Sequence, residues 1–451
     1  MSDWKKVKIG DVCKIVKGST GIASAEPGEY PLVVTAEERK SCSSYQFDCE
    51  AVCIPLVSSS GHGKKSLKNV HYQSGKFALG TILCAVIPND SNELDARFLR
   101  QYLQFYKDKI LVPLMKGAAN VSLSMKDIAT VEIPLPPIEK QRELSELFVS
   151  LQEKEKILNE EYEKQFEYTK QLRQNILQDA IEGRLTEEWR KSNPVVKGNP
   201  DFDAEALFEK IQEEKCHTDS ELPLETSLRI RNSKKKKVFE PISENEQPFE
   251  IPEGWKWVRL GEIVENITSG SREWARYYSD TGAIFLRMGN LSRESYVLRL
   301  DNIQHVRVPE SSEGKRTRLL PFDLLFSITA EIGNLGLIPK DFPEAYINQH
   351  TARIRFAQLV KQSLYFANAL LAPGIRNLYL PNAHGMKNSF RLDTLSFIPI
   401  PLPPLAEQKE IVRVVESQLA KVDQLEKQIT ERETLTKQML QSIMKDAFRE
   451  E

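Results

Sequence analysis

The 451-residue chain has little cysteine, no long apolar run and no excess of either charge. Each absence removes a class of protein. Six cysteines (Cys13, Cys42, Cys49, Cys53, Cys84 and Cys216) are too few for a disulfide scaffold at this length, which points to a reducing, cytoplasmic location. No apolar stretch approaches the ~18 residues of a membrane span, and the opening MSDWKKVKIG is too polar for a signal peptide. No membrane partner is expected. Glycine (21) and proline (24) are used at ordinary levels, so a fibrous or low-complexity chain is excluded. With 62 Lys+Arg against 64 Asp+Glu the net charge is only -2, which argues against a polyanion partner if charge is evenly spread.

Catalytic signatures are missing too. The segment GHGKKS at 61–66 resembles a phosphate loop, but no glycine stands five residues before Gly63. There is no G-x-G-x-x-G, H-E-x-x-H or G-x-S-x-G, and no Asn/Asp-Pro-Pro-aromatic tetrapeptide of amino-methyltransferases. The cysteines of the first body, with His62 and His71, lack the paired C-x-x-C spacing of a zinc site, so no metal is assigned. Asn348-Gln349-His350 has no nucleophile or base beside it, which favours a structural or base-contacting role. No catalytic residue is assigned.

What the chain does have is a repeat. Pro134-Leu135-Pro136-Pro137 recurs as Pro401-Leu402-Pro403-Pro404, and at that fixed offset Gln141 meets Gln408, Lys170-Gln171 meets Lys437-Gln438, and Asp179-Ala180 meets Asp446-Ala447. Upstream, Trp4-Lys5-Lys6-Val7-Lys8-Ile9-Gly10-Asp11 matches Trp255-Lys256-Trp257-Val258-Arg259-Leu260-Gly261-Glu262. The unit is a strand-like start, a body, a PLPP hinge and a charged helical block, written twice. The two bodies show little likeness to each other.

After Pro137 and Pro404, both suited to helix starts, apolar residues recur every three or four positions. Leu144, Leu147, Leu151, Leu158 and Tyr162 form one stripe; Val415, Leu419, Val422, Leu425 and Ile429 form the other. These predict two amphipathic coiled-coil helices of about 45 residues, roughly 65 Å at 1.5 Å per residue, each supplying the partner the other's stripe needs. Residues 191–250 are polar, with one helical patch at 204–215 and the run Lys234 to Lys237, and read as a linker with a short docking helix. The bodies carry strand signals at 30–34, 51–57, 81–87, 283–287 and 324–328 and helical ones at 95–106 and 359–372.

Charge is not evenly spread. Residues 1–133 hold 17 Lys+Arg and 14 Asp+Glu, residues 252–400 hold 18 and 14, and the helices and linker are acidic. Mildly basic bodies on an acidic scaffold fit nucleic-acid faces. Thirteen of the second body's cations are arginine, whose planar fork addresses guanine bidentately, while the first body has only Arg39, Arg97 and Arg100. The candidate DNA-binding residues are His62, Lys64, Lys65 and Lys68 in the first body and Arg287, Arg316, Arg318, Arg353 and Arg355 in the second.

The doubled frame W-K-x-V-[KR]-[IL]-G-[DE], then I-P-L-P-P and Q-[RK]-E, resembles the specificity subunit of type I restriction–modification enzymes. So do Ile181-Glu182-Gly183-Arg184-Leu185-Thr186-Glu187-Glu188-Trp189-Arg190, Phe249 to Trp255, Phe326-Ser327-Ile328-Thr329-Ala330-Glu331-Ile332-Gly333-Asn334 and Ala345 to Arg353. The first body lacks the FSITAEIGN run, and Gly80-Thr81-Ile82-Leu83 stands as its counterpart. The resemblance implies an α+β chain with a pseudo-twofold repeat, in which two globular α/β target recognition domains are joined by two long antiparallel coiled-coil helices. Its domains would be recognition domain 1 at 1–135, spacer helix 1 at 136–190, the linker at 191–250, recognition domain 2 at 251–400 and spacer helix 2 at 401–451. It implies a non-catalytic subunit that reads a bipartite asymmetric target on double-stranded DNA, sets the unread spacer, and docks two methyltransferase subunits and, through them, restriction subunits. S-adenosylmethionine, ATP and Mg would sit on those partners. A fused methyltransferase or endonuclease is disfavoured by the missing motifs, and a structural adaptor without a DNA role by the basic, divergent bodies.

Overall fold

The computed structural model describes residues 4–60, 63–118, 120–220, 239–272, 274–308, 317–380 and 390–448. It divides into two compact units: Met1–Lys164 with Ile429–Glu451, and Gln165–Gln428.

In the first unit the chain enters on β1 (Lys5–Lys8) and leaves on β10 (Glu132–Leu135). The two form an antiparallel ribbon with Lys5 opposite Leu135 and Lys8 opposite Glu132. The remaining strands are β2 (Cys13–Lys17), β3 (Tyr30–Val33), β4 (Lys40–Cys42), β5 (Phe47–Asp48), β6 (Ala51–Pro55), β7 (His71–Gln73), β8 (Lys76–Leu79) and β9 (Leu83–Pro88). They make two sheets, β2-β9-β6-β7 and β4-β3-β8-β5, in which only β3 and β8 pair in parallel. Every residue of β6, Ala-Val-Cys-Ile-Pro, is buried, as an uninterrupted apolar run in a central strand requires. Val33, Phe47, Phe77, Leu79 and Leu83 are among the side chains of the core shared by these strands. The helix Ala96–Ile110 starts because Asp95 accepts from the Arg97 and Phe98 N–H groups. Four of the six cysteines are buried here; burial pushes the Cys13 and Cys84 thiols up to about 12, so they act as small apolar residues.

The second unit repeats the plan. Its ribbon pairs β11 (Lys256–Arg259) with β20 (Pro399–Leu402), Lys256 facing Leu402. Between them lie β12 (Val264–Ser269), β13 (Tyr278–Ser279), β14 (Ala283–Leu286), β15 (Gln304–Val306), β16 (Leu324–Ser327), β17 (Leu335–Leu337), β18 (Ala345–Ile347) and β19 (Thr351–Phe356). The sheets are β12-β19-β16-β17 and β13-β15-β14-β18, again with one parallel pair, β14 and β18. Strand by strand, β2, β9, β6 and β7 take the places of β12, β19, β16 and β17, and the parallel pairs correspond. The units differ at a sheet edge, where β5 pairs with β8 but β13 pairs with β15.

Bodies with little sequence likeness therefore share a topology, and a glycine marks it. A Cβ on Gly18 would lie 2.2 Å from the Gly80 carbonyl oxygen, and one on Gly270 would lie 2.1 Å from that of Ile347. Both sites need a residue without a side chain where backbone meets backbone. The shared plan corrects one expectation. Gly80-Thr81-Ile82 joins β8 to β9 and so stands in the place of Asn348-Gln349-His350. The FSITAEIGN run instead corresponds to the connection between β6 and β7, which holds GHGKKS.

The PLPP segments open two long helices, Ile138–Ile181 of 44 residues and Leu405–Ala447 of 43. The repeated glutamine explains the motif, since Gln141 Nε2 donates to the Pro136 carbonyl and Gln408 Nε2 to that of Pro403, each at 2.8 Å. The helices pair antiparallel. In the first unit Tyr162 Oη meets Thr436 Oγ1 at 2.9 Å and Phe448 stacks on Phe148. In the second, Arg173 binds Glu426 through two hydrogen bonds, at 3.2 and 2.9 Å, and also Asp423. No helix among the described residues is long and apolar enough to cross a membrane.

Candidate nucleic-acid interface

In the first unit the connection at 56–70 is closed by its own serines. Ser60 Oγ meets Ser66 Oγ at 2.7 Å, Ser58 Oγ accepts from the Ser66 N–H at 3.2 Å, and Ser59 Oγ accepts from the Lys68 N–H at 2.9 Å. This leaves Lys64, Lys65 and Lys68 exposed. His62 lies outside the described residues.

The connection then locks onto the 96–110 helix, with Gln104 Oε1 accepting from the Val70 N–H at 2.7 Å. At the edge strand β7 all three arginines of residues 1–133 converge. Arg100 donates to the Val70 carbonyl at 3.0 Å, Arg39 to the Tyr72 carbonyl at 3.2 Å and to Gln73 Oε1 at 3.1 Å, and Arg97 lies over the Tyr72 ring at 5.4 Å. Arg97 is exposed. The exposed lysines therefore lie on the connection that leads directly into the strand on which the arginines converge. Sequence reading missed the arginine group. The three-residue spacing of Arg97 and Arg100 signals a shared helix face, but nothing local places Arg39 beside them.

His71 sits within this group, 5% exposed, with Nδ1 3.2 Å from Arg39 Nη1. Burial first, then the Arg39 and Arg100 charges, lower its pKa from 6.5 to about 4. The imidazole is neutral when folded but takes a proton near 6.5 when unfolded. The unfolded chain therefore binds more protons between these values, and the first unit loses stability as pH falls from 6.5 toward 4. By about pH 5 the loss from this group is ~2 kcal/mol. Denaturation near pH 7 and near pH 5 should show a smaller drop for His71→Gln than for the parent; equal drops would refute the assignment.

In the second unit the strands bring a different chemistry to the equivalent connections. Arg287 follows β14 directly, is half-buried, and makes no ion pair among the described residues. Arg318 is exposed, its Nε 3.9 Å from Glu344 Oε1. Arg316 lies outside the described residues. Arg353 and Arg355 have interior roles rather than the DNA contacts expected of them. Both point to one face of β19, where Arg353 donates to the Arg318 carbonyl at 3.0 Å and Asn266 Oδ1 at 2.8 Å. Arg355 forms two 2.7 Å bonds to Asp323, a carboxylate with no exposure. An alternating strand pattern gives two arginines the same face, and here that face is covered.

Between these cations a polar chain joins three connections. Thr329 Oγ1 lies 3.6 Å from Met288 Sδ and 2.9 Å from His350 Nδ1, and His350 Nε2 lies 2.9 Å from Gln349 Nε2. Next to Thr329, the exposed Ala330 has φ 55°, a left-handed conformation that costs a non-glycine residue about 1 kcal/mol. Ser327 holds it there, with Oγ accepting from the Asn334 N–H at 2.8 Å and donating to the Glu331 carbonyl.

The comparisons agree with this architecture. Residues 1–165 and 252–432 match the profile of the type I restriction modification DNA specificity domain. The Escherichia coli type I restriction enzyme EcoDI specificity subunit is 25% identical over 462 residues, covering 100% of this chain and 88% of the relative. The EcoKI specificity subunit of Escherichia coli strain K12 is 26% identical over 357 residues, covering 77% and 63%. A chain from a solved structure concerned with complex assembly and conformational transition of the type I R-M system aligns over 99% of this chain and 97% of its own, with TM-score 0.61 and 17% identity. The HsdS subunit from Thermoanaerobacter tengcongensis aligns over 100% and 97%, with TM-score 0.50 and 18% identity. At such identities the two structures speak for the fold alone. The duplicated profile match, over more than half of the residues and laid on a duplicated strand plan, shows that this chain belongs to the type I restriction–modification DNA specificity family.

Proposed function

We propose that this chain reads a two-part target on double-stranded DNA, one half by each unit, and performs no bond-making step itself. One observation carries the reading: a single strand plan occurs twice, with different chemistry at equivalent connections. Lys64, Lys65 and Lys68 lie in the β6–β7 connection where the second unit's β16–β17 connection has Thr329 and Glu331, and Gly80-Thr81-Ile82 stands where the second unit has Asn348-Gln349-His350. Lys64, Lys65, Lys68 and Arg97 would serve phosphates in the first half, and Arg287 and Arg318 the second. The antiparallel long helices would fix the unread spacer and carry two methyltransferase subunits, with restriction subunits joining through them. S-adenosylmethionine, ATP and Mg would be held by those partners. The relatives' names and the duplicated profile support this reading.

The test is an exchange. Each body begins and ends on a two-stranded ribbon, so residues 9–131 can be replaced by the corresponding body of another family member. Sequencing of modified sites in cells carrying the exchanged chain and its partners should show one half of the target changed and the other retained. Change in both halves would overturn the two-reader reading.

A further inference from the structure

We propose that Gln349 is a base-reading residue of the second unit and that it takes the major-groove edge of an adenine. His350 and Thr329 act as its positioning residues. The inference rests on the second unit being a DNA reader and adds which atoms read.

The direction of the polar chain follows from its chemistry. Met288 Sδ only accepts, so the Thr329 hydroxyl donates to it at 3.6 Å. Thr329 Oγ1 then accepts from His350 Nδ1–H at 2.9 Å, which makes Nε2 the acceptor for Gln349 Nε2–H at 2.9 Å. A neutral imidazole of one tautomer satisfies all three bonds. It holds the carboxamide by one of its two N–H groups and leaves Oε1 and the other N–H without a hydrogen-bond partner among the described residues. Gln349 Oε1 takes no hydrogen bond from any described residue, and the side chain is half-buried rather than loose. A donor and an acceptor presented together match adenine N6–H and N7, the pairing that suits glutamine.

The placement agrees. Strands β14 and β18 run parallel with Leu286 opposite Ile347, so the connections leaving their carboxyl ends start abreast, Arg287 beside Asn348. Outside the carboxyl ends of parallel strands is where open α/β sheets expose ligand-binding groups. Arg287 supplies a cation without an ion-pair partner among the described residues on the same edge as the carboxamide. Ala330, held in a left-handed conformation beside Thr329, is the strain expected where a connection is shaped for contact rather than for its own stability.

The experiment uses the chain assembled with its methyltransferase partners and a randomised double-stranded DNA library. Gln349→Glu removes the donor and keeps acceptors, which suits cytosine N4–H and not adenine. The expected result is a change from adenine to cytosine at one position, within the half that body exchange assigns to the second unit. Discrimination there should alter by roughly tenfold to a hundredfold. Gln349→Met, which keeps the volume without hydrogen bonds, should lose preference at that same position and melt with the parent. His350→Ala should weaken preference there without changing which base is preferred. A two-part target with every base preference retained in Gln349→Glu and Gln349→Met would overturn this inference and leave the two-reader reading standing. A uniform loss of affinity with unchanged preferences would also overturn it. If the parent complex selects no two-part target, the two-reader reading fails and takes this one with it.

Discussion

Replacing Phe448 by alanine is expected to cost the first unit about 3–5 kcal/mol, the range for deleting a fully packed aromatic side chain. Phe448 is 6% exposed and closes an aromatic cluster, stacked on Phe148 at 4.7 Å between centroids and edge-on to Tyr102 at 5.3 Å. Phe98, Phe105 and Tyr106 complete the ring around it at 5.7 to 6.1 Å. The cavity left by the truncation is walled by rigid rings that cannot collapse into it. Phe448→Leu should recover most of the loss. Hydrogen exchange followed by mass spectrometry should show faster exchange across the 96–110 helix in Phe448→Ala; unchanged protection there would contradict the assignment.

Removing Glu407 is expected to cost the second unit a similar amount. Its carboxylate is 2% exposed and gathers three donors from two separate parts of the chain. Thr186 Oγ1 and Trp255 Nε1 each donate at 2.7 Å, and Arg190 Nη1 donates to the same oxygen as Thr186. In Glu407→Ala the indole N–H loses its acceptor and the Arg190 guanidinium its counter-charge in a largely covered site, a situation that costs about 3–5 kcal/mol. Glu407→Gln keeps the volume and one acceptor oxygen but loses the charge and turns an N–H toward one of the donors, so it should recover only part of the loss. Denaturant midpoints followed by tryptophan fluorescence provide the check, since Trp189, Trp255, Trp257 and Trp274 all lie in this unit. A loss below about 1 kcal/mol for the alanine variant would be inconsistent with the network.

Glu407 also shows where repeat reading stops. Its counterpart at the fixed offset is Lys140, which is half-buried and pairs with Glu143 instead. The offset reveals that two helices match, because matched proline, glutamine and apolar positions carry their geometry in local spacing. It cannot reveal that one copy carries a carboxylate reaching back to Thr186 and Trp255, since those contacts depend on tertiary closure. The long helices, the opening strands β1 and β11 and the central strands β6, β9, β14 and β16 were legible for the first reason, whereas the PLPP segments, read as hinges, also close the ribbons as strands β10 and β20. The equivalence of the two bodies was not. It lies in strand order, and once Gly18 and Gly270 are set aside almost no side chain is shared. Among the candidate site residues, exposed Lys64, Lys65, Lys68 and Arg318 lie in connections or beside a strand start, and their exposure follows from that. Arg353 and Arg355 look equivalent to them in composition, but their partners Asp323 and Asn266 lie 30 or more residues away in sequence, beyond the reach of local pattern.

The ribbons have a mechanical consequence. Each body begins and ends at adjacent points, Lys8 opposite Glu132 and Arg259 opposite Pro399, and the chain passes from β10 or β20 straight into a long helix. Tension along a helix is therefore carried by the ribbon's ladder and bypasses the sheets behind it. A body can open and reclose without changing the separation of its own ends. Motion within a body is thereby uncoupled from strain in the helix that follows it.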